Sequence, residues 1–332
     1  MRLLYIDPFS FEGHVNFNKI HIEALRRCGF EPDFVFKEGY GSLLGEGNVV
    51  YEYPERLYNH DSGNKWRRSQ YRILRDIMRH IDMRPYDRIL LSAYETFSVL
   101  LTGFPASYLV NHDNIQSNRI KLWGIRALAK KHVHIALLRQ SLDLLKGMGC
   151  NASYFVNHGL IEPYPAEPRD GGACITVFSP SAESSDEEFI NEMILDDPLN
   201  ELLEKRNVRI PVRSNNLRSG RKNIEILSRR LSDDEYRKKF MASDYILIAY
   251  PESFEYRVSG VLMEALACGK RILVRDIPAM REFRDLIGAD SYFGSVRELA
   301  ECISRLEARP EYNSGDNGDL RLSLSPDYSF IK

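Results

Sequence analysis

A chain of 332 residues is longer than the size at which a single hydrophobic core usually stops growing, so two domains are the first expectation. With 43% hydrophobic and 28% charged residues it has the balance of a globular protein, which excludes disordered and fibrous classes. The net charge of -2 is unevenly spread: residues 1–165 hold 21 Lys and Arg against 17 Asp and Glu, leaving 24 against 30 for the remainder. The amino-terminal half is the basic one, by a margin too small to point to nucleic acid as a partner.

The first strand reaches Asp7 after four apolar residues, too short for a signal-peptide core, and no 18-residue apolar run follows. Five cysteines (Cys28, Cys150, Cys174, Cys268 and Cys302), odd in number and far apart, form no C-x-x-C pair, which argues against both a disulfide framework and a zinc site. A cytoplasmic location is expected.

In chain order, short β-type runs alternate with helical patterns, the signature of parallel sheets with crossover helices. Strands are expected at 3–6, 33–36, 88–92, 107–111, 134–138 and 153–156, with helices at 17–28, 65–81, 94–101, 120–130 and 141–148 between them. Periodicity stops at residues 162–172, where three prolines and two glycines fall in one polar stretch. It restarts with strands at 174–178, 208–212, 224–227, 245–250 and 271–274, and helices within 186–205 and at 233–241, 260–268 and 296–308. The expected architecture is α/β: two Rossmann-like, doubly wound domains facing across a cleft. The amino-terminal one spans residues 1–160, a linker 161–172, the carboxyl-terminal one 173–309, and a polar tail 310–332. Ligands are expected at the carboxyl ends of the strands.

The most informative window runs from Tyr250 to Lys270. A β-rich run feeds a loop that ends in Ser259-Gly260 and opens a helix. Small residues at such a turn let backbone N–H groups approach an anion, and the helix end adds partial positive charge. A diphosphate suits that turn, while Glu264, one turn further on, can accept ribose hydroxyls. Arg257 is a further phosphate candidate, since a guanidinium grips phosphate bidentately.

This window resembles the donor-binding segment of group 1 glycosyltransferases, retaining enzymes of the GT-B fold that often build bacterial surface polysaccharides. Members show E-x7-E followed by Ala, small residues and Gly. Glu264 with Ala265, Ala267 and Gly269 matches the second half. The resemblance implies that Ser259, Gly260 and Val261 face the donor diphosphate and that Glu264 faces the ribose. It departs at the first Glu: Tyr256 stands eight residues before Glu264, and Glu255 is one position early. A weaker likeness covers Ser232-Asp233-Asp234-Glu235, a capping box, and points to Arg229–Leu231 as base contacts. Arg213, Arg218 and Lys222 are available for phosphate, or form a solvated charged face.

In the amino-terminal half, Gly13 and His14 follow the first strand, where a glycine lets the main chain approach donor or acceptor. His112 and Asp113 end a later strand. By resemblance His112 lies beside the transferred sugar; alternatively its imidazole is a base, or it is tied into a strand-end network. If the chemistry inverts, Asp113 or His14 is the expected base. His158 is read as structural. Arg68, Arg72, Arg75 and Arg79 share one helix face, with Trp66, Ile73, Ile77 and Ile81 on another. That stripe suits a peripheral contact with an anionic membrane or a lipid-linked acceptor, or else is a solvated face. No D-x-D motif occurs, so neither metal nor cofactor is expected.

The expected function is metal-independent transfer of a hexose from a UDP- or GDP-sugar to a saccharide or lipid-linked acceptor, with His112, Glu255 and Asp113 as catalytic candidates. The alternatives are a nucleotide-sugar epimerase of the same fold and a non-catalytic nucleotide-sugar-binding partner subunit.

Overall fold

The computed structural model describes residues 1–59, 63–112, 114–116, 118–167, 174–181, 186–228, 230–307 and 318–331. Asp113 and Arg229 lie outside the described residues, as does part of the expected linker. The chain divides into two compact units. One comprises Met1–Gly159, Tyr256–Val258 and Ser323–Lys332; the other comprises Leu160–Glu255 and Ser259–Leu322.

The first unit contains, in order, β1 (Arg2–Ile6), α1 (Val15–Arg27), β2 (Glu31–Lys37), α2 (Tyr40–Leu44), β3 (Val49–Tyr53), α3 (Asn64–His80), β4 (Arg88–Leu91), α4 (Thr96–Thr102), β5 (Tyr108–Asn111), α5 (Arg119–Leu128), β6 (Val133–Ala136), α6 (Arg139–Gly147) and β7 (Ser153–Phe155). Its strands form a seven-stranded sheet in the order β3-β2-β1-β4-β5-β6-β7, parallel at every pairing. Alternate residues of β1 feed two cores. Leu3 and Tyr5 join Phe34, Phe36, Leu90 and α1 on one face, whereas Leu4 and Ile6 join Val35, Leu91 and α3 on the other. A parallel sheet covered on both faces therefore reads as an unbroken apolar run in its central strands.

The second unit contains β8 (Ile175–Phe178), α7 (Glu187–Leu195), α8 (Asp197–Lys205), β9 (Val208–Arg213), β10 (Ile224–Leu227), α9 (Asp233–Ala242), β11 (Tyr245–Ile248), α10 (Gly260–Ala267), β12 (Arg271–Arg275), α11 (Pro278–Arg281), α12 (Arg284–Ile287), β13 (Tyr292–Phe293), α13 (Val296–Ser304) and α14 (Gly318–Ser323), the last running one residue past the division between units. Its six-stranded sheet has the order β10-β9-β8-β11-β12-β13, again parallel throughout. Ile175, Val177, Ile210, Leu247 and Leu273 bury one face against α7, α8 and α13. Among the described residues no helix is long and apolar enough to cross a membrane.

The expected elements are found with shifted ends. The run 245–250 leaves the ladder after Ile248, although Ala249 and Tyr250 stay buried, because burial continues past the last strand partner. The helix expected to reach residue 308 ends at Ser304. Six elements have no counterpart in the sequence reading: α2, β3, α11, α12, β13 and α14. The edge strand β3 buries fully only Tyr53, and α2 is a five-residue helix flanked by Gly39 and Gly45 in the left-handed region. Neither is long enough to show a period.

The tail residues 323–332 belong to the first unit. Tyr328 is fully buried, its hydroxyl donating to His21 Nδ1 at 2.6 Å, while His21 Nε2–H donates to the His158 carbonyl at 3.0 Å. Phe330 stacks on Tyr154 at 4.2 Å, and Asn157 Nδ2 donates to the carbonyls of Ser323 and Ser325. Gly159 is needed where the tail crosses: its φ is +81°, and a Cβ there would collide with Ile20 and press on Pro326.

Two changes test this anchoring by urea unfolding. Tyr328→Phe strands the buried His21 Nδ1 and is expected to cost about 1–3 kcal/mol. Gly159→Ala adds positive-φ strain to a steric clash and is expected to cost roughly 2–4 kcal/mol.

Candidate functional site

The second unit builds its site at the carboxyl end of β11. Ser259 caps α10: its buried hydroxyl accepts from the Leu262 amide at 3.0 Å and donates to Tyr250 Oη at 3.0 Å. Ser259 can therefore serve an anion only through the helix end it orders, because its side chain is used inward. Gly260 is exposed and Val261 partly so, and their amides are among those a helix start leaves without an intrahelical acceptor.

Glu264 lies one turn into α10. Tyr164 Oη donates to one of its carboxylate oxygens at 3.0 Å and Tyr236 Oη to the other at 2.6 Å. The Arg213 guanidinium lies over the Tyr236 ring at 5.1 Å and donates to the Pro180 carbonyl, and Arg237 lies over the Tyr164 ring at 5.3 Å. Burial pushes the Glu264 carboxyl above its ordinary range, while the two phenols and the two arginines act against that shift. A carboxylate oxygen has room for more than one donor. Glu264 is thus fixed in aim yet retains acceptor capacity.

Tyr164, Tyr236 and Arg237 were not legible as site residues. Tyr164 sits in the proline-rich stretch, 100 residues before its partner, and Tyr236 follows the capping box of α9, which is present as expected. Glu255 ends a 3₁₀ turn over Glu252–Phe254. Tyr256, at the position of the family's first Glu, packs on the Ile115–Ile125–Leu145 cluster of the first unit. An apolar packing role thus replaces a carboxylate there. Arg257 falls in the same three-residue segment of that unit.

In the first unit the loop after β1 is over-determined. Asp7, fully buried, accepts from Phe9 N–H at 2.9 Å and Asn18 Nδ2 at 2.7 Å, and pairs with His14 Nδ1 at 3.3 Å. Burial raises the Asp7 carboxyl, but His14, Asn18 and Ser10 outweigh it and leave it below its ordinary value. Ser10 holds φ +39°, an uncommon conformation for a residue other than glycine, and its hydroxyl ties the Asp7 carbonyl to the Lys37 amide. Strain retained in this way marks loops whose geometry is used. Gly13 has ordinary φ and an exposed position, and a Cβ there would only press on the Phe11 ring, so its backbone does not require glycine.

Because a carboxylate only accepts, the Asp7 contact engages His14 Nδ1 as the donor and leaves Nε2 as the ring nitrogen it does not use. His112 lies face to face with His14 at 4.8 Å and edge-on to Phe17 at 4.4 Å. Its Nε2–H donates to the Ser92 carbonyl at 2.8 Å, so Nδ1 carries its lone pair. Burial and the neighbouring histidines His14, His158 and His21 hold it well below the ordinary histidine value. Asp7, which the sequence reading used only to end a strand, is what orients His14.

Arg68, Arg72, Arg75 and Arg79 are exposed on α3, with Ile73 and Ile77 buried opposite. Trp66 packs on Phe9 at 5.2 Å. Among the described residues no group of three or more His, Cys, Asp or Glu is arranged to hold a metal ion. A hollow of about 520 Å³, lined by Arg271, Asp290 and Arg305, lies at the amino ends of β11 and β12. Parallel sheets bind ligands at the opposite edge, where Gly260 and Glu264 stand.

No protein-family profile matches the chain, and no curated protein matches it in sequence. Solved structures do match in shape. HepE of Anabaena, solved with UDP and glucose, aligns over 100% of this chain and 94% of its own with TM-score 0.61 at 13% identity. Sucrose-phosphate synthase of Thermosynechococcus elongatus aligns over 100% and 96% with TM-score 0.62 at 14% identity. A UDP-N-acetylglucosamine 2-epimerase assigned in Listeria monocytogenes aligns over 97% and 95% with TM-score 0.59 at 11% identity. At such identities the likeness establishes the fold, which is GT-B with two Rossmann-like units.

The neutral histidines give this protein an acid limit. Burial holds His134 and His158 at about 4, and holds His21 and His112 well below their ordinary value. In the unfolded chain they protonate near 6.5, so the unfolded state binds more protons below that pH. Stability is therefore complete above about 6.5 and falls between about 6.5 and 4 by roughly 1.4 kcal/mol per pH unit for each such histidine. Asp7, lowered in the fold, contributes above its unfolded value and loses that contribution only in stronger acid. Urea midpoints measured from neutral pH down to about pH 5 are expected to drop steeply below about 6.5.

Proposed function

We propose that this protein is a glycosyltransferase that takes a sugar from a nucleoside diphosphate donor, with UDP the first nucleotide to test. The observation that carries the reading is Glu264: a carboxylate aimed by two phenols, flanked by Arg213 and Arg237, four residues beyond the amide-presenting start of α10. A helix end accepts a diphosphate and a fixed carboxylate accepts ribose hydroxyls. The UDP in the HepE structure supports the choice of nucleotide.

In this reading the second unit holds the donor. The first unit supplies a base, His14 Nε2, oriented by Asp7 in the manner of a carboxylate–imidazole pair. Such a base suits direct displacement and inversion at the sugar carbon. Retention would instead let the leaving diphosphate take the acceptor proton. Charge on the diphosphate is met by Arg213, Arg237 and the helix end, so transfer proceeds without a divalent cation. His112, its lone pair on Nδ1, lines the same group of rings and would contact the sugar.

The same fold serves the second reading, a nucleotide-sugar epimerase, which the cluster of Asp7, His14 and His112 favours because epimerisation needs proton-transfer groups. Release of UDP that requires an added saccharide or lipid-linked acceptor supports transfer; UDP-sugar conversion without acceptor supports the epimerase.

Four outcomes are expected. UDP at a hundredfold over Kd adds about 2.7 kcal/mol to the stability of the parent, and Glu264→Gln weakens that binding roughly tenfold or more. His14→Ala lowers the acceptor-dependent rate about 100-fold or more with UDP binding unchanged, and chelation of divalent cations leaves the parent rate as it was. A Glu264→Gln protein that binds UDP as well as the parent would overturn the donor site.

A further inference from the structure

Helix α3 packs beside α4, and α4 beside α5, in one layer of the first unit. Each turns its buried residues to the sheet: Ile73, Leu74 and Ile77 on α3, Val99 on α4, Ile125 and Leu128 on α5. At 100° per residue, Arg68, Arg72, Arg75 and Arg79 fall within an arc of about 60° opposite that buried side. On α5 the same construction places Arg119, Trp123 and Arg126 outward, and all three are exposed. Large apolar side chains stand among these cations: Leu101 is 72% exposed, Ile120 67% and Trp123 61%.

The layer also lacks compensating charge. Among the described residues its carboxylates are Glu95, buried and capping α4, and Asp76, which accepts from the Tyr51 hydroxyl. Arg68, Arg72, Arg79, Arg119 and Arg126 have no ion pair among the described residues, in a chain whose net charge is -2. Arginine alone would fit any polyanion. Exposed Leu, Ile and Trp interspersed with arginine fit a surface that offers phosphate and, just beneath it, hydrocarbon. Tryptophan in particular settles where an apolar zone meets a wet one.

We propose that the outward face of α3, α4 and α5 seats this protein on an anionic lipid bilayer, with the arginines on headgroup phosphates and Leu101, Ile120 and Trp123 in the interfacial zone. This does not rest on the donor reading, since vesicle binding is measured with neither nucleotide nor acceptor present.

The test uses the full chain in co-sedimentation with two kinds of vesicle, phosphatidylcholine alone and phosphatidylcholine mixed equally with phosphatidylglycerol. The parent is expected to bind the mixed vesicles, less so as salt rises, and to ignore the neutral ones. Arg72→Glu with Arg75→Glu is expected to lower partitioning at least about tenfold, with the unfolding temperature unchanged. Arg68→Gln with Arg79→Gln gives a milder second pair. In a Trp66→Phe background, Trp123 emission shifts to the blue on binding, and Trp123→Ser weakens binding. Parent protein absent from both vesicles, equal binding to neutral lipid, variants that bind like the parent, or preference for a DNA duplex over the vesicles would each overturn the proposal.

Discussion

A carboxylate drawn wholly or partly out of water must be met by donors, and each unit of this protein is organised around one that is met, Asp7 fully buried and Glu264 half-buried. Asp7 at the end of β1 receives an amide, an asparagine and an imidazole. Glu264 in α10 receives two phenols, with two arginines behind them. Removing one partner of such a buried group costs more than the bond itself contributes, because the charge is left uncompensated. The surrounding residues are constrained accordingly. Asn18 is held by Tyr5 and Tyr40, Arg213 is held by Pro180 and Tyr236, and Ser10 keeps its unfavourable φ. In both units the group stands at or just beyond the carboxyl end of a parallel strand, where the loops of such a sheet collect.

Around Asp7 the rings are crowded. His14, His112, His21 and His158 lie in one series of ring contacts through Phe17, and burial with the neighbouring imidazoles holds His112, His21 and His158 below the ordinary histidine value. Carbonyl acceptors decide the tautomers of His112 and His21, and Asp7 engages His14 through Nδ1. One consequence is a lone pair on His112 Nδ1, useful to proton transfer. A second is that the tail matters, since Tyr328 supplies the hydroxyl that His21 Nδ1 accepts. The last residues of the chain thereby support a series of rings that starts near its first strand.

The charge of the chain is distributed by helix layer more than by half. The excess of cations in residues 1–165 is small, yet the α3–α5 layer concentrates arginine on its outward face while its carboxylates are turned in or bonded. Trp66 shows why spacing alone misplaces the aromatic. It lies on the arginine helix but packs on Phe9, and the exposed tryptophan is Trp123, two helices away.

By itself the sequence determined the alternation of strands and helices, the division into two α/β units, the loop-to-helix junction at Ser259-Gly260 and the position of Glu264. These rest on local causes: period, turn chemistry and a strand-to-helix junction. Only the tertiary structure decided which donors hold Glu264, since Tyr164 and Tyr236 come from segments 100 and 28 residues away. It alone assigned Tyr256 to packing, turned the Ser259 hydroxyl inward, brought the tail back to His21, and made Asp7 the orienting partner of His14. The division has a physical reason. Backbone geometry is written in neighbouring residues, whereas satisfying a buried polar group draws on whatever the folded topology brings within about 3 Å of it.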